Sequence, residues 1–156
     1  MKKVIIYTDG ACSFNPGPGG WGAVLMYGGK QKQISGFAES TTNNQMEMLA
    51  VINALKMLKE PCIVDLYSDS AYVVNAFLQN WVEDWQKHNW RTSNKKEVKN
   101  ISLWKELLEL CNIHQITWHK VKGHADNEFN NLCDKLARGE VDRYLESHPM
   151  MNVEDD

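Results

Sequence analysis

The sequence predicts an α/β domain built on a five-stranded mixed sheet flanked by helices. Three apolar, strand-like runs follow one another closely near the N-terminus, whereas two later runs are set apart by segments of helical periodicity. Short connections suit antiparallel neighbours and helical crossovers suit parallel ones, so one half of the sheet is antiparallel and the other parallel. The remaining observation is the placing of four carboxylates: Asp9 and Asp69 end apolar strands, while Glu47 and Asp134 lie on amphipathic helices. Stability alone does not favour carboxylates at such positions.

Val4-Ile5-Ile6-Tyr7-Thr8 is a β-branched, buried-type strand that delivers Asp9 at its C-terminal end. The Gly/Pro-rich stretch from Asn15 to Gly20 reads as a loop into a second strand, Trp21 to Tyr27, and Gly28-Gly29 as a hairpin turn into a third, Gln31 to Ala38. Thr42-Asn43-Asn44-Gln45 matches a capping box and opens a strongly apolar helix that Pro61 ends. Stepping by helical turns from Glu47 meets Val51, Ala54, Leu55 and Leu58, so this carboxylate begins the core-facing stripe. Cys62 to Tyr67 is the fourth strand, leading to Asp69, and a helix follows from Ser70. A basic, Trp-rich excursion precedes a helix from Ile101 to Cys111 and a fifth strand from Gln115 to Val121. Phe129, Leu132, Cys133, Leu136 and Ala137 then recur at helical spacing, with Asp134 flanking the stripe.

A chain of 156 residues, 43% of them apolar and 10% aromatic, suits one domain with one core. The expected division is a catalytic domain over residues 1–146 and an acidic, disordered tail over 147–156 that holds Glu154, Asp155 and Asp156 without a Lys or Arg. No apolar run approaches the roughly 20 residues that span a bilayer, and Met1-Lys2-Lys3-Val4 enters a strand rather than a signal-peptide core, so a cytoplasmic protein is expected. Cys12, Cys62, Cys111 and Cys133 are scattered, which favours reduced thiols over a disulfide framework or a metal site. His114, His119 and His124 have no cysteines at useful spacing, which speaks against zinc.

Seventeen basic against 20 acidic residues give a slightly acidic chain, whereas nucleic-acid binders are usually basic. The distribution is uneven, however: residues 80 to 105 carry a net +3 and leave the rest at −6. Trp81, Trp85, Trp90 and Trp104 interleave with those cations, as a groove for nucleic acid requires. A solvated helix pair with a tryptophan satellite core accounts for the same residues without a ligand.

If the first and fourth strands are parallel neighbours, Asp9 and Asp69 project beyond their carboxyl ends, where such sheets gather ligands. Gathering like charges is costly unless cations neutralise them, so the four carboxylates point to metal chemistry.

Thr8-Asp9-Gly10, the run from Asn15 to Gly22, Thr42 to Glu47, Ser68-Asp69-Ser70, Val121-Lys122-Gly123-His124 and Cys133 to Ala137 occur in an order and spacing that resemble type 1 ribonuclease H over residues 3 to 145. The resemblance implies a ribonuclease H-like fold, a free-standing enzyme with a handle, and endonucleolytic hydrolysis of the RNA strand of RNA:DNA hybrids. It further implies two Mg²⁺ ions, for which Mn²⁺ can substitute, held by Asp9, Glu47, Asp69 and Asp134, and products with 5′-phosphate and 3′-hydroxyl ends. His124 matches the family's mobile histidine, thought to assist proton transfer or product release, with a surface-loop histidine as the plain alternative. Cys12, Asn15 and Asn44 match the side that meets RNA 2′-hydroxyls. Thr42, Asn43 and Asn100 match residues holding a DNA phosphate, and Trp85 the aromatic against a deoxyribose. Trp21, Trp81, Trp104 and Trp118 are assigned to core or scaffold. Gln45 stands where relatives often have a basic residue, and Glu83-Asp84 adds negative charge to the handle, which implies weaker hybrid binding. The expected partner is the hybrid duplex, bound by a monomer away from membranes. A non-catalytic hybrid-binding module would normally have lost a carboxylate, and a more distant nuclease or transposase domain would lack Asn43-Asn44 and the tryptophan handle.

Overall fold

The computed structural model describes residues 1–122 and 127–148. His124 and the tail beyond residue 148 lie outside them. Five strands, β1 (Lys2–Cys12), β2 (Gly17–Tyr27), β3 (Lys30–Thr41), β4 (Cys62–Ser68) and β5 (Gln115–Lys120), form one sheet in the order β3-β2-β1-β4-β5. β1 pairs antiparallel with β2 and parallel with β4; β2–β3 is antiparallel and β4–β5 parallel, which is the mixed sheet expected. Gly28 and Gly29 have φ of 55° and 79°, the left-handed conformation of a tight hairpin.

The helices among the described residues are α1 (Asn43–Lys56), α2 (Ala71–Leu78), α3 (Trp81–Lys87), α4 (Ile101–Ile113) and α5 (Glu128–Ser147). None is long and apolar enough to cross a membrane. The main core lies between the sheet and α1, α2 and α4, where Ile6, Val64 and Leu66 meet Val51, Leu55, Trp104 and Leu107. Val51, Ala54 and Leu55 are fully buried, so the stripe that starts at Glu47 does face the core. α5 lies over β1, β2 and β3 through Cys133, Ala137 and Val141. Trp104 is fully buried and Trp118 stacks on Phe77 with ring centroids 4.3 Å apart, both as scaffold. All four cysteines are free.

Several boundaries differ from the sequence reading. β1 continues to Cys12, so Asp9 lies inside the strand rather than at its end. β2 begins at Gly17 because Ala11 and Cys12 pair with Gly20 and Gly19, using backbone groups that glycine supplies as well as any residue. β3 runs on to Thr41, and α1 ends at Lys56 ahead of Pro61, with the Met57 and Leu58 N–H groups donating to Ala54 O and Leu55 O respectively. Thr42 caps α1 by accepting from the Gln45 N–H at 3.2 Å, but the Gln45 side chain does not close the box. It engages Thr41 and Asn100 instead.

The glycines of β2 let α5 rest directly on the sheet backbone. A Cβ on Gly22 would lie 2.6 Å from Cys133 O and 2.7 Å from Leu136 Cβ, closer than such atoms approach. Gly139, on the same helix, has only the flexible end of Arg143 within 3.5 Å of where its Cβ would be. Gly22→Ala therefore destabilises the fold by about 2–3 kcal/mol as α5 is levered away. Gly139→Ala stabilises it by about 0.5–1 kcal/mol through helix propensity. Thermal melts of the two variants should move in opposite directions.

Candidate active site

The parallel ladder of β1 and β4 ends at Thr8↔Ser68, one residue short of Asp9 and Asp69. Both carboxylates therefore emerge at the same margin of the sheet. Gly10 brings in the next one: a Cβ there would lie 2.6 Å from the Glu47 nitrogen and 2.7 Å from the Met46 carbonyl carbon, so only glycine lets the first turn of α1 sit on β1. Ligand oxygens of Asp9, Glu47 and Asp69 consequently fall within 4.8 Å of one another. Asp134 arrives from α5, lines the same cavity of ≈ 680 Å³ with these three and meets Asp9 at hydrogen-bond range, without approaching all three as closely as they approach one another. Its Oδ1 accepts a hydrogen bond from Arg138 Nε at 2.9 Å, one helical turn on.

Asp9 is 5% exposed, and burial followed by the charge of Asp69 pushes its pKa up to about 8. Asp134 adds to the rise, against the Gly10 N–H, which donates to Asp9 Oδ1 at 2.9 Å and favours the charged form. Glu47 is likewise held well above the usual carboxylate range, by burial first and then by Asp9 and Asp69. Its Oε1 is buried with no hydrogen-bond partner among the described residues. The Cys133 thiol, pushed up by burial and the neighbouring carboxylates, donates to Tyr7 O at 3.2 Å and is inert filling beneath the site.

Around the cluster, the structure gathers most of the other residues singled out in the sequence. Cys12, Asn43 and Asn44 line the cavity with the carboxylates, the Cys12 thiol reaching the carbonyls of Gly17 and Thr41 at 3.6 and 3.4 Å. Asn15 ties its loop to the start of α1 by accepting from the Asn43 N–H at 3.1 Å. Asn100, in the left-handed conformation at the N-cap of α4, accepts from Gln45 Nε2 at 3.1 Å and donates to the Tyr72 hydroxyl at 3.1 Å. Trp104 Nε1 donates to the same hydroxyl at 3.2 Å, so the start of α1 and the start of α4 share one polar network. Trp85 is set apart: it packs edge-on to Trp104 and, with Trp81, His88, Arg91 and Lys95, lines a second depression on α3 and the following loop. Lys95, Lys96 and Lys99 are exposed there, and Glu83 pairs with Lys87 at 3.3 Å, so part of the acidic charge noted in the handle is neutralised locally.

Sequence reasoning missed Arg138 and Tyr72. Arg138 was legible as a basic residue four positions after Asp134 on a helix, the spacing of an ion pair. Tyr72 carried no pattern of its own, since its role depends on α2 and α4 meeting in space.

In the folded protein Asp9 holds its proton more tightly than the ordinary carboxyl value of 3.8, so ionising it opposes folding. The penalty is absent below about pH 4, grows as pH rises and is complete above about pH 8. Asp9→Asn removes it. Without divalent ions the variant should melt about 5 °C or more above wild type at pH 8, with the difference closing below pH 4, as scanning calorimetry across pH would show. Saturating Mg²⁺ should narrow the gap by stabilising only the wild type.

The RNase H family profile matches residues 1–142. A ribonuclease H of Acetivibrio thermocellus is 71% identical over 141 residues, which are 90% of this chain and 96% of that protein. Among solved structures, LC9-RNase H1, described as a type 1 RNase H with the type 2 active-site motif, superposes with a TM-score of 0.81 at 29% identity, covering 91% of this chain and 73% of that one. The foamy viral protease-reverse transcriptase, solved in complex with RNA/DNA hybrid, matches with a TM-score of 0.69 at 25% identity over 90% of this chain and 20% of its own. With a family profile spanning nearly all of the described fold and a relative of such identity over nearly its whole length, the chain belongs to the ribonuclease H family and is a ribonuclease H enzyme.

Proposed function

We propose that this enzyme hydrolyses the RNA strand of RNA:DNA hybrids, using two divalent ions held by Asp9, Glu47, Asp69 and Asp134 and leaving 5′-phosphate and 3′-hydroxyl ends. The observation that carries the proposal is the convergence of Asp9, Glu47 and Asp69 oxygens within 4.8 Å in a cavity that Asp134 also lines. The donor set fits Mg²⁺: it consists of hard carboxylate oxygens, Glu47 Oε1 is buried without a partner among the described residues, and burial, with mutual repulsion second, raises Asp9 and Glu47. When bound, such ions supply an activated water and stabilise the leaving oxygen of an in-line phosphoryl displacement. Mn²⁺ suits the same ligands.

The chain's own residues do the positioning. Cys12 and Asn44 line the cavity with the carboxylates, Asn15 is tied to that side through the Asn43 N–H, and the three face the RNA strand, where 2′-hydroxyls distinguish it from DNA. Thr42, Asn43 and Asn100 take a phosphate of the DNA strand at the N-terminus of α1, a favourable place for an anion. Trp85 offers an exposed edge to a deoxyribose, and the lysines after it follow the backbone. His124 assists proton transfer or product release. The relative solved with RNA/DNA hybrid supports the substrate class. Residues 1–146 form the catalytic domain in this reading and 147–156 an acidic tail; the protein acts as a monomer in the cytoplasm.

Cleavage of matched RNA:DNA, RNA:RNA and DNA:DNA duplexes tests the proposal directly. Only the hybrid should be cut, in its RNA strand, with loss of activity on chelation and in Asp9→Asn. Cutting of all three duplexes would remove the substrate assignment. Trp85→Ala, or reversal of Lys95, Lys96 and Lys99 together, should raise KM about tenfold while changing kcat less than about threefold, because these groups are remote from the chemistry.

His124→Ala should lower kcat by about ten- to a hundredfold with little change in KM, below the usual ceiling for acid-base catalysis. Steady-state kinetics between about pH 6 and 9 checks it. An unchanged kcat over that range makes the histidine a bystander, and complete inactivity gives it a structural or ligand role.

A further inference from the structure

One of the four carboxylates is already taken. Asp134 touches the cluster of Asp9, Glu47 and Asp69 through Asp9, and its Oδ1 is held by Arg138 Nε at 2.9 Å. Arg138 lines the same cavity, and its side chain is 71% exposed. Among the described residues the contact uses Nε alone, so both terminal nitrogens of the guanidinium can meet an oxyanion arriving in the cavity. An exposed pair four residues apart on a helix is weak, and an incoming ion or phosphate can exchange it readily.

We propose that Arg138 is a positioning residue that acts through Asp134. It occupies Oδ1 of this carboxylate while the site is free, gives it up when divalent ions gather there, and then binds a phosphate oxygen of the incoming strand. Charge balance favours the exchange. Released Asp134 adds a negative ligand where cations collect, and the freed guanidinium finds a new anion in the substrate backbone, for which its planar fork is well shaped. Arg138 thereby couples arrival of the substrate to completion of the ligand set. The inference rests on the metal-site reading given above.

Titration calorimetry with Mg²⁺ alone, in the absence of nucleic acid, tests the first half. Arg138→Gln should bind Mg²⁺ about three- to tenfold more tightly than wild type, because Asp134 no longer has to leave a partner. Arg138→Lys, which keeps a cation able to pair with Asp134, should return to within about twofold of wild type. The gain should shrink below about 1.5-fold when the same change is made in Asp134→Asn, since the cycle then lacks the residue through which Arg138 works. An equal gain in both backgrounds would mean that Arg138 acts only as a distant charge, and no gain in either would mean that it does not compete for Asp134. Each overturns the inference.

Kinetics at saturating Mg²⁺ tests the second half: Arg138→Gln should raise the hybrid KM about fivefold and leave kcat within about twofold. An unchanged KM removes the phosphate contact. A wild-type protein that takes up no Mg²⁺ removes the metal-site reading itself, whereas uptake that is indifferent to Arg138 removes only the role assigned here.

Discussion

Repulsion among carboxylates is the constraint around which this molecule is arranged. Asp9, Glu47 and Asp69 would separate if side chains alone positioned them, and the raised pKa values of Asp9 and Glu47 record first their burial and then the repulsion of keeping them together. What opposes it is backbone packing. α1 sits on β1 where Gly10 offers no side chain, α5 sits on β2 where Gly22 offers none, and the β1–β4 ladder fixes the spacing of Asp9 and Asp69. Protein interiors resist such displacement because they are close-packed, so the core stores the electrostatic strain at the sheet margin.

That division explains the economy of the site. The carboxylates sit on three kinds of support: a strand interior, a strand-to-helix junction and two helices. No support is a long loop. For Asp9, Glu47 and Asp69 an arrangement of this kind holds its geometry before any ion arrives and spends little entropy on ordering when one does. Ribonuclease H chemistry places its demands on electrostatics and alignment rather than on a covalent nucleophile, and a rigid acidic margin meets them.

Much of this was legible in the sequence. The strand character of β1 follows from its β-branched run, and the stripe from Glu47 through Val51 and Leu55 from helical periodicity, which local steric rules fix. The run from Gly17 to Gly20 was misread as loop because its residues have poor strand propensity; its strand character comes from pairing with β1 beneath α5, a tertiary effect. Gln45 was similarly opaque. As the third residue of a capping box it should fold back on Thr42, yet Asn100, distant in sequence, competes for it. Arg138 shows the opposite case, in which the spacing was present and the neighbouring acidic motif drew attention away from it.

The Asn100 network has a mechanical consequence. Thr41, Gln45, Asn100, Tyr72 and Trp104 form a chain of neutral hydrogen bonds from the start of α1 to the root of the basic excursion, where α4 begins. The grip of that excursion on a polyanion is ionic and weakens as salt rises. That hydrogen-bonded link to the catalytic body carries no charge and does not. In the function proposed above, ionic strength therefore governs how long a duplex stays but not where along its length the carboxylates meet it, and the protein keeps one fixed measure between the strand it holds and the bond it breaks.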